Sequence, residues 1–161
     1  MKKLFFILIS IFFSVSVFSQ VGVTNLRVTN DTNCIQYFVV LGGDDCQCMA
    51  VTRSCHSDLI SIPANSTKVL NGSNLGGVNE DSKFRKTDFI FCVRIAEGPM
   101  DVGCFAGGTV GQLDCGAPSF SYVYNAKIKK CELCKENPKT LATWKPGFCE
   151  EYTAELIFTN L

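Results

Sequence analysis

Ten cysteines constrain this chain more than any other feature. They are Cys34, Cys46, Cys48, Cys55, Cys92, Cys104, Cys115, Cys131, Cys134 and Cys149, in a 161-residue chain with one histidine, His56. An even cysteine count in an exported chain reads as a disulfide framework. All ten are therefore expected in structural bridges, with at least four disulfides formed. Each bridge would contribute about 2–4 kcal/mol, chiefly by restricting the unfolded chain. The spacing does not say which cysteine pairs with which.

The export signal is at the start of the chain. Met1-Lys-Lys3 is a short basic region, and residues 4–18 are apolar with interspersed serines. Val17 and Ser19 are small enough for the positions before a signal-peptidase cut, which would leave Gln20 as the new N-terminus. This predicts a signal peptide over residues 1–19 and a single domain over residues 20–161, secreted or periplasmic. The first cysteine, Cys34, is far from the cut, so no lipid-anchored terminus is expected. No later apolar run is long enough to span a bilayer, so stable membrane insertion is not expected either. Without Lys2 and Lys3 the chain has 13 basic against 15 acidic residues, a net charge of about −2. That argues against a general nucleic-acid binder, which needs a basic surface.

The fold class follows from residue period. Ile35, Tyr37, Val39 and Leu41 alternate with Cys34, Gln36, Phe38 and Val40, so both faces of that stretch are largely apolar. Such a strand belongs inside a sheet that is covered on both sides. A first strand is expected over residues 21–28, with a turn or bulge at Asn30-Asp-Thr-Asn33. Leu59 to Ile62 reads as a short strand, with Lys68 to Leu70 as its hairpin partner beyond Pro63. Residues 71–88 read as a long polar surface loop with Phe84 as anchor. In Phe89-Ile-Phe-Cys-Val-Arg-Ile95, alternation puts Phe89, Phe91, Val93 and Ile95 on a core face and Arg94 opposite. A return strand is expected over residues 102–105. Phe120, Tyr122 and Tyr124 form an aromatic face. Tyr152, Ala154, Leu156 and Phe158 form the inward face of a last strand. No helical stripe is sustained, and no repeat recurs at solenoid spacing. Seven or eight strands joined by Gly, Asn and Pro turns predict an all-β, disulfide-stapled antiparallel β-sandwich.

Two stretches carry a family resemblance. Asn30-Asp-Thr-Asn-Cys34, continuing to Tyr37, resembles the Asn-Asp-Thr-x-Cys opening of small exported bacterial cysteine-containing β-sandwich proteins. Ala142-Thr-Trp-Lys-Pro-Gly147, continuing to Phe158, resembles their Thr-Trp-x-Pro-Gly ending. The resemblance implies the same fold and compartment. That group has no assigned chemistry, so no site is implied.

Candidate chemistry has a plainer reading at each position. Cys131-x-x-Cys134 has zinc or redox spacing, and Cys149 with His56 would complete a Cys₃His set. No second CxxC accompanies it and no βαβ pattern surrounds it, so structural disulfides closing this loop onto the last strands are expected, with no metal and no cofactor. His56 is followed by Ser57 and Asp58, yet sequence neighbours do not converge on one reacting atom. No Gly-x-Ser-x-Gly elbow is present, and a hydrolase is the third choice. Asp44-Asp45 and Glu80-Asp81 fit solvated turns better than a calcium loop or a glycosidase pair. Asn30, Asn65 and Asn71 each begin an Asn-x-Ser/Thr triplet. Tyr122, Tyr124 and Trp144, with Phe120 and Phe148, are the candidate stacking platform for a glycan or protein ligand. Six lysines between Lys127 and Lys145 read as a solvated face. The expected function is a secreted, non-catalytic binding module for an unknown protein or glycan, its variable surface in the loops over 71–88 and 104–118. The alternative is a secreted toxin or effector that engages membranes or glycans.

Overall fold

Two runs of β-formers, around Phe38 and around Val93, pair directly and set the centre of one sheet. The structure, a computed structural model, describes residues 22–77, 79–99, 107–129, 132–135, 139–147 and 153–161. Its strands are β1 (Asn25–Asn30), β2 (Gln36–Gly43), β3 (Ser54–His56), β4 (Ile60–Ile62), β5 (Ser66–Asn71) and β6 (Phe89–Ala96), followed by β7 (Thr109–Gly111), β8 (Ser121–Asn125), β9 (Lys127–Lys129), β10 (Glu132–Leu133), β11 (Lys139–Lys145) and β12 (Thr153–Asn160). A 3₁₀ turn spans Leu113–Cys115. The signal peptide, Gln20, the strand expected over 102–105, Cys104, Cys131, Phe148, Cys149 and Tyr152 lie outside the described residues.

The chain forms the expected β-sandwich. One sheet has the order β5-β1-β12-β11-β8. The other has the order β3-β2-β6-β7, with β4 also paired to β2, and β9 with β10 forms a separate ribbon. The strands β3, β7, β9, β10 and β11 take the count beyond the seven or eight expected. The two sheets share one core, which includes Leu26, Val28, Phe38, Val40, Ile90, Val93, Ile95, Trp144, Leu156 and Phe158. The rings of Phe38 and Phe158 face each other across it at 6.0 Å. β12 fills the centre of its sheet, with Ala154, Leu156 and Phe158 inward as expected.

Three local expectations give way to tertiary structure. First, β4 and β5 are not a hairpin: β4 pairs with β2 and β5 with β1, so the chain changes sheets at Pro63. Proline cannot donate to a ladder, and here the break falls at a crossover. Second, the β2–β6 register shifts between Leu41 and Gly42, a bulge that reverses the alternation of β6. Ile90 therefore joins Val93 and Ile95 in the main core, while Phe89 and Phe91 turn to a second, outer cluster. Third, β1 and β12 pair in parallel, unlike the other strand ladders described. They are the first and last strands, so no hairpin dictates their relative direction.

The Asn30 to Gln36 motif is a structural device. The Asn30 amide donates to the carbonyls of Cys34, Ile62 and Pro63 at 2.8, 3.1 and 2.9 Å. Its oxygen accepts from the Thr32 N–H and hydroxyl. Gln36 donates to Thr32 at 2.8 Å, and the Tyr124 hydroxyl donates to Gln36 Oε1 at 2.6 Å. Asn30, Thr32, Gln36 and Tyr124 are all buried, so this network joins the two sheets through satisfied polar groups. A glycan on Asn30 is incompatible with it.

The cysteine framework is partial. Cys34 bridges Cys134 and Cys48 bridges Cys115, across sequence separations of 100 and 67. Cys46 is disulfide-bonded too. Cys55 and Cys92 are free and buried, which corrects the expectation that all ten pair. Parity explains it. They pair with neighbouring β2 residues, Gly42 and Leu41, so Cys55 enters the main core and Cys92 the outer cluster. The sheet itself separates them. Cys134 closes onto the β1–β2 turn, not onto the last strands, and is thereby removed from any Cys₃His set.

Candidate functional site

The strand registers bring three loops to one end of the sandwich. β2 ends at Gly43, which pairs with Ser54 at the start of β3 and Phe89 at the start of β6. The hairpin 44–53 and the loop 72–88 therefore meet there. β7 ends at Gly111 opposite Cys92, and the following Gln112 N–H donates to Phe91 O, so residues 112–118 arrive at the same end. The loop 72–88 and the 112–118 part of the segment 104–118, both expected to carry variable surface, thus converge with the cysteine hairpin, to which no surface role was assigned from sequence.

This end is held together in detail. Asp44 Oδ1 accepts the N–H groups of Thr52 and Arg53 at 2.9 Å each, and Oδ2 accepts the Thr52 hydroxyl. These bonds, the Thr52 hydroxyl first, hold the Asp44 carboxyl down to about 2. Arg53 Nη2 donates to both carboxylate oxygens of Asp88 at 2.5 Å and Nη1 donates to Lys83 O, tying the hairpin to the loop 72–88. Asp88 is 1% exposed and also accepts the Arg85 N–H. The ion pair raises the Arg53 pKa. Phe84 anchors the loop in the core, as expected. The Gly42-Gly43 pair makes room: a Cβ at Gly42 would lie 2.9 Å from the Phe84 ring, and one at Gly43 would lie 2.7 Å from the Val51 methyls. The Cys48–Cys115 bridge, with Cα atoms 5.4 Å apart, clips the hairpin tip to the 3₁₀ turn. Gly116, in the left-handed region at φ 84°, ends that turn.

The clip leaves two apolar side chains in water. Met49, next to Cys48, is 91% exposed, and Leu113, two residues before Cys115, is 43% exposed. On the same hairpin and turn, Asp44 and Asp114 are exposed and Asp45 is half-buried. Asp45 is engaged in holding the Gln47 N–H at 2.8 Å. The clipped hairpin and turn thus expose apolar side chains on segments that also carry three aspartates.

The sequence-expected site residues fall elsewhere. Trp144 and Tyr124 are core residues, 2% and 4% exposed, and burial raises the Tyr124 pKa. Tyr122 is half-buried, stacked on Tyr124 with ring centroids 5.8 Å apart. The three rings do not form an open platform, because β8 and β11 turn this face inward. Among the described residues, the large exposed apolar side chains are Met49, Val69, Leu113, Val123, Leu133 and Leu161, and none is aromatic. Ser57 is also spent structurally: its buried hydroxyl donates to Asp58 O at 2.7 Å and accepts the Val40 N–H at 2.9 Å. Burial, then the Asp88 carboxylate, pushes the Cys55 thiol up to about 12, which leaves it a poor nucleophile. No group of three or more metal-ligand side chains gathers among the described residues. Their helices include none long and apolar enough to cross a membrane.

Compared with known proteins, the sequence matches no family model, no curated protein and no solved structure.

Proposed function

We propose that this chain is an exported, non-catalytic binding module that engages a protein partner through the clipped loop end. The observation that carries the proposal is Met49, nearly fully exposed at the tip of a hairpin whose backbone is otherwise fixed by Asp44, Arg53 and the Cys48–Cys115 bridge. Large apolar side chains on rigid supports bind with little ordering cost. Methionine is enriched at interfaces because its flexible thioether fits varied pockets. Asp44, Asp45 and Asp114 on the same segments favour a partner whose apolar pocket is bordered by Lys or Arg. Disulfides support an oxidising compartment, and removal of residues 1–19 on export belongs to the same proposal.

The absence of an exposed aromatic among the described residues weighs against a glycan stacking face. Panning a peptide display library on the protein tests the reading. Enriched peptides should combine an apolar residue with Lys or Arg, and Met49→Ser should release them. Peptides that bind Met49→Ser equally well would overturn it. Glycan-array binding or leakage of anionic vesicles that persists in Met49→Ser would favour the effector alternative.

A further inference from the structure

Cys92 is a free, buried thiol beneath a disulfide. It lies opposite Leu41 on β2 and Gly111 on β7. Beyond Gly111 the chain bonds to Phe91 through the Gln112 N–H at 2.9 Å, then reaches Cys115 within one 3₁₀ turn. Cys115 and its bridge partner Cys48 pack, partly buried, on the cluster of Phe91, Cys92 and Ala117. One thiol and one disulfide therefore share a single small apolar cluster. Cys55, the other free thiol among the described residues, is in the main core on the opposite face of the sheet.

We propose that this cluster is a thiol–disulfide exchange site in which Cys92 attacks the Cys48–Cys115 bridge. A Cys92–Cys115 bond forms as the Cys48–Cys115 bond breaks. Cys92 gives its proton to a solvent base, and Cys48 leaves as a thiolate that takes a proton up. One thiol and one disulfide enter and one of each leaves, so no oxidant or reductant is consumed. Cys115 is the sulfur attacked because its segment is bonded to Phe91 beside Cys92. Cys48 is the leaving group because it adjoins the exposed Met49, where a departing thiolate meets water.

The consequence rests on the function proposed above. Exchange unclips the hairpin from the 3₁₀ turn, parts Met49 from Leu113 and switches the surface off. Burial holds the Cys92 thiol up at about 11, opposed by Arg94 on its own strand. The covering elements carry Asp44, Asp45, Asp114 and Arg53, the last already paired with Asp88. Exchange is therefore slow in the closed cluster and faster as the cluster loosens or the pH rises.

Peptide mapping tests this directly. The non-reduced protein is held at several values between about pH 6 and about pH 9.5, quenched in acid, alkylated and digested. The expected result is a Cys92–Cys115 linkage with alkylated Cys48, increasing with pH, absent from Cys92→Ala, with Cys34–Cys134 unchanged. Cys92 recovered only as a free thiol, with Cys48–Cys115 intact at every pH, would overturn the proposal even if Cys92→Ala failed to fold. The map is read without a partner, so a failed binding assay does not bear on it. Undiminished peptide capture by the exchanged form would overturn the switch and leave the exchange chemistry standing.

Discussion

Asn30 does more for this molecule than any catalytic-looking residue in it. Its side chain satisfies three backbone carbonyls and accepts two hydrogen bonds while fully buried. Asn30→Ala should lower stability by about 2–3 kcal/mol, because the buried Thr32 N–H loses its acceptor and the Cys34, Ile62 and Pro63 carbonyls each lose one donor. Denaturant unfolding of this variant and of exposed Asn33→Ala checks it, and equal small shifts would contradict it. Asp44 makes a second residue-scale prediction. Its folded-state pKa is depressed from 3.8 to about 2, so its contribution is present above pH 3.8 and lost as pH falls through about 2. The stability difference between wild type and Asp44→Asn should therefore shrink across that window, as measured by denaturant unfolding at stepped pH. At this scale the sequence was half readable. The Asn-Asp-Thr motif signals a turn, but its link through Gln36, on the other sheet, to Tyr124 requires long-range pairing that no local pattern encodes.

At the scale of elements, period located β2, β6 and β12 and missed only which face of β6 meets the main core. The inward face of β12 follows from alternation, and Phe158→Ala should cost about 3–5 kcal/mol through lost burial and the cavity left behind. Glu155→Ala, on the outer face between Arg27 and Lys145, should stay within about 0.5 kcal/mol. Denaturant melts of the two variants separate these outcomes. The same alternation misplaced Phe89 and Phe91, because a bulge is a property of two strands and one strand's sequence does not announce it. Trp144 and Tyr124 were misread for a related reason. Period 2 tells which residues share a face, not which face meets the other sheet. The edge strand β5 shows a device that sequence alone leaves unexplained. Lys68 stands on its inward row, opposite Val28, yet remains exposed. An inward-pointing charge at an edge blocks pairing with a further strand. Lys68→Val should raise concentration-dependent association in light scattering, with little change in the monomer's fold.

For the whole molecule, the two ends of the sandwich divide the work. One end is closed by the Asn30 network and the Cys34–Cys134 bridge, which fix how the sheets meet. The other end gathers three loops that the Arg53–Asp88 pair, Phe84 and the Cys48–Cys115 clip hold in place. The ten cysteines made disulfides legible from sequence, but not that Cys55 and Cys92 would stay free on opposite faces of one sheet. The composition likewise marked the loops as surface without showing that they converge. The central claim, that this end binds through Met49, is tested most directly by titrating one enriched Lys- or Arg-containing peptide into wild type and Met49→Ser in a calorimeter. Met49 makes no core contact, so melting temperatures should agree while affinity falls about tenfold or more. Equal affinity for the two proteins would contradict the account.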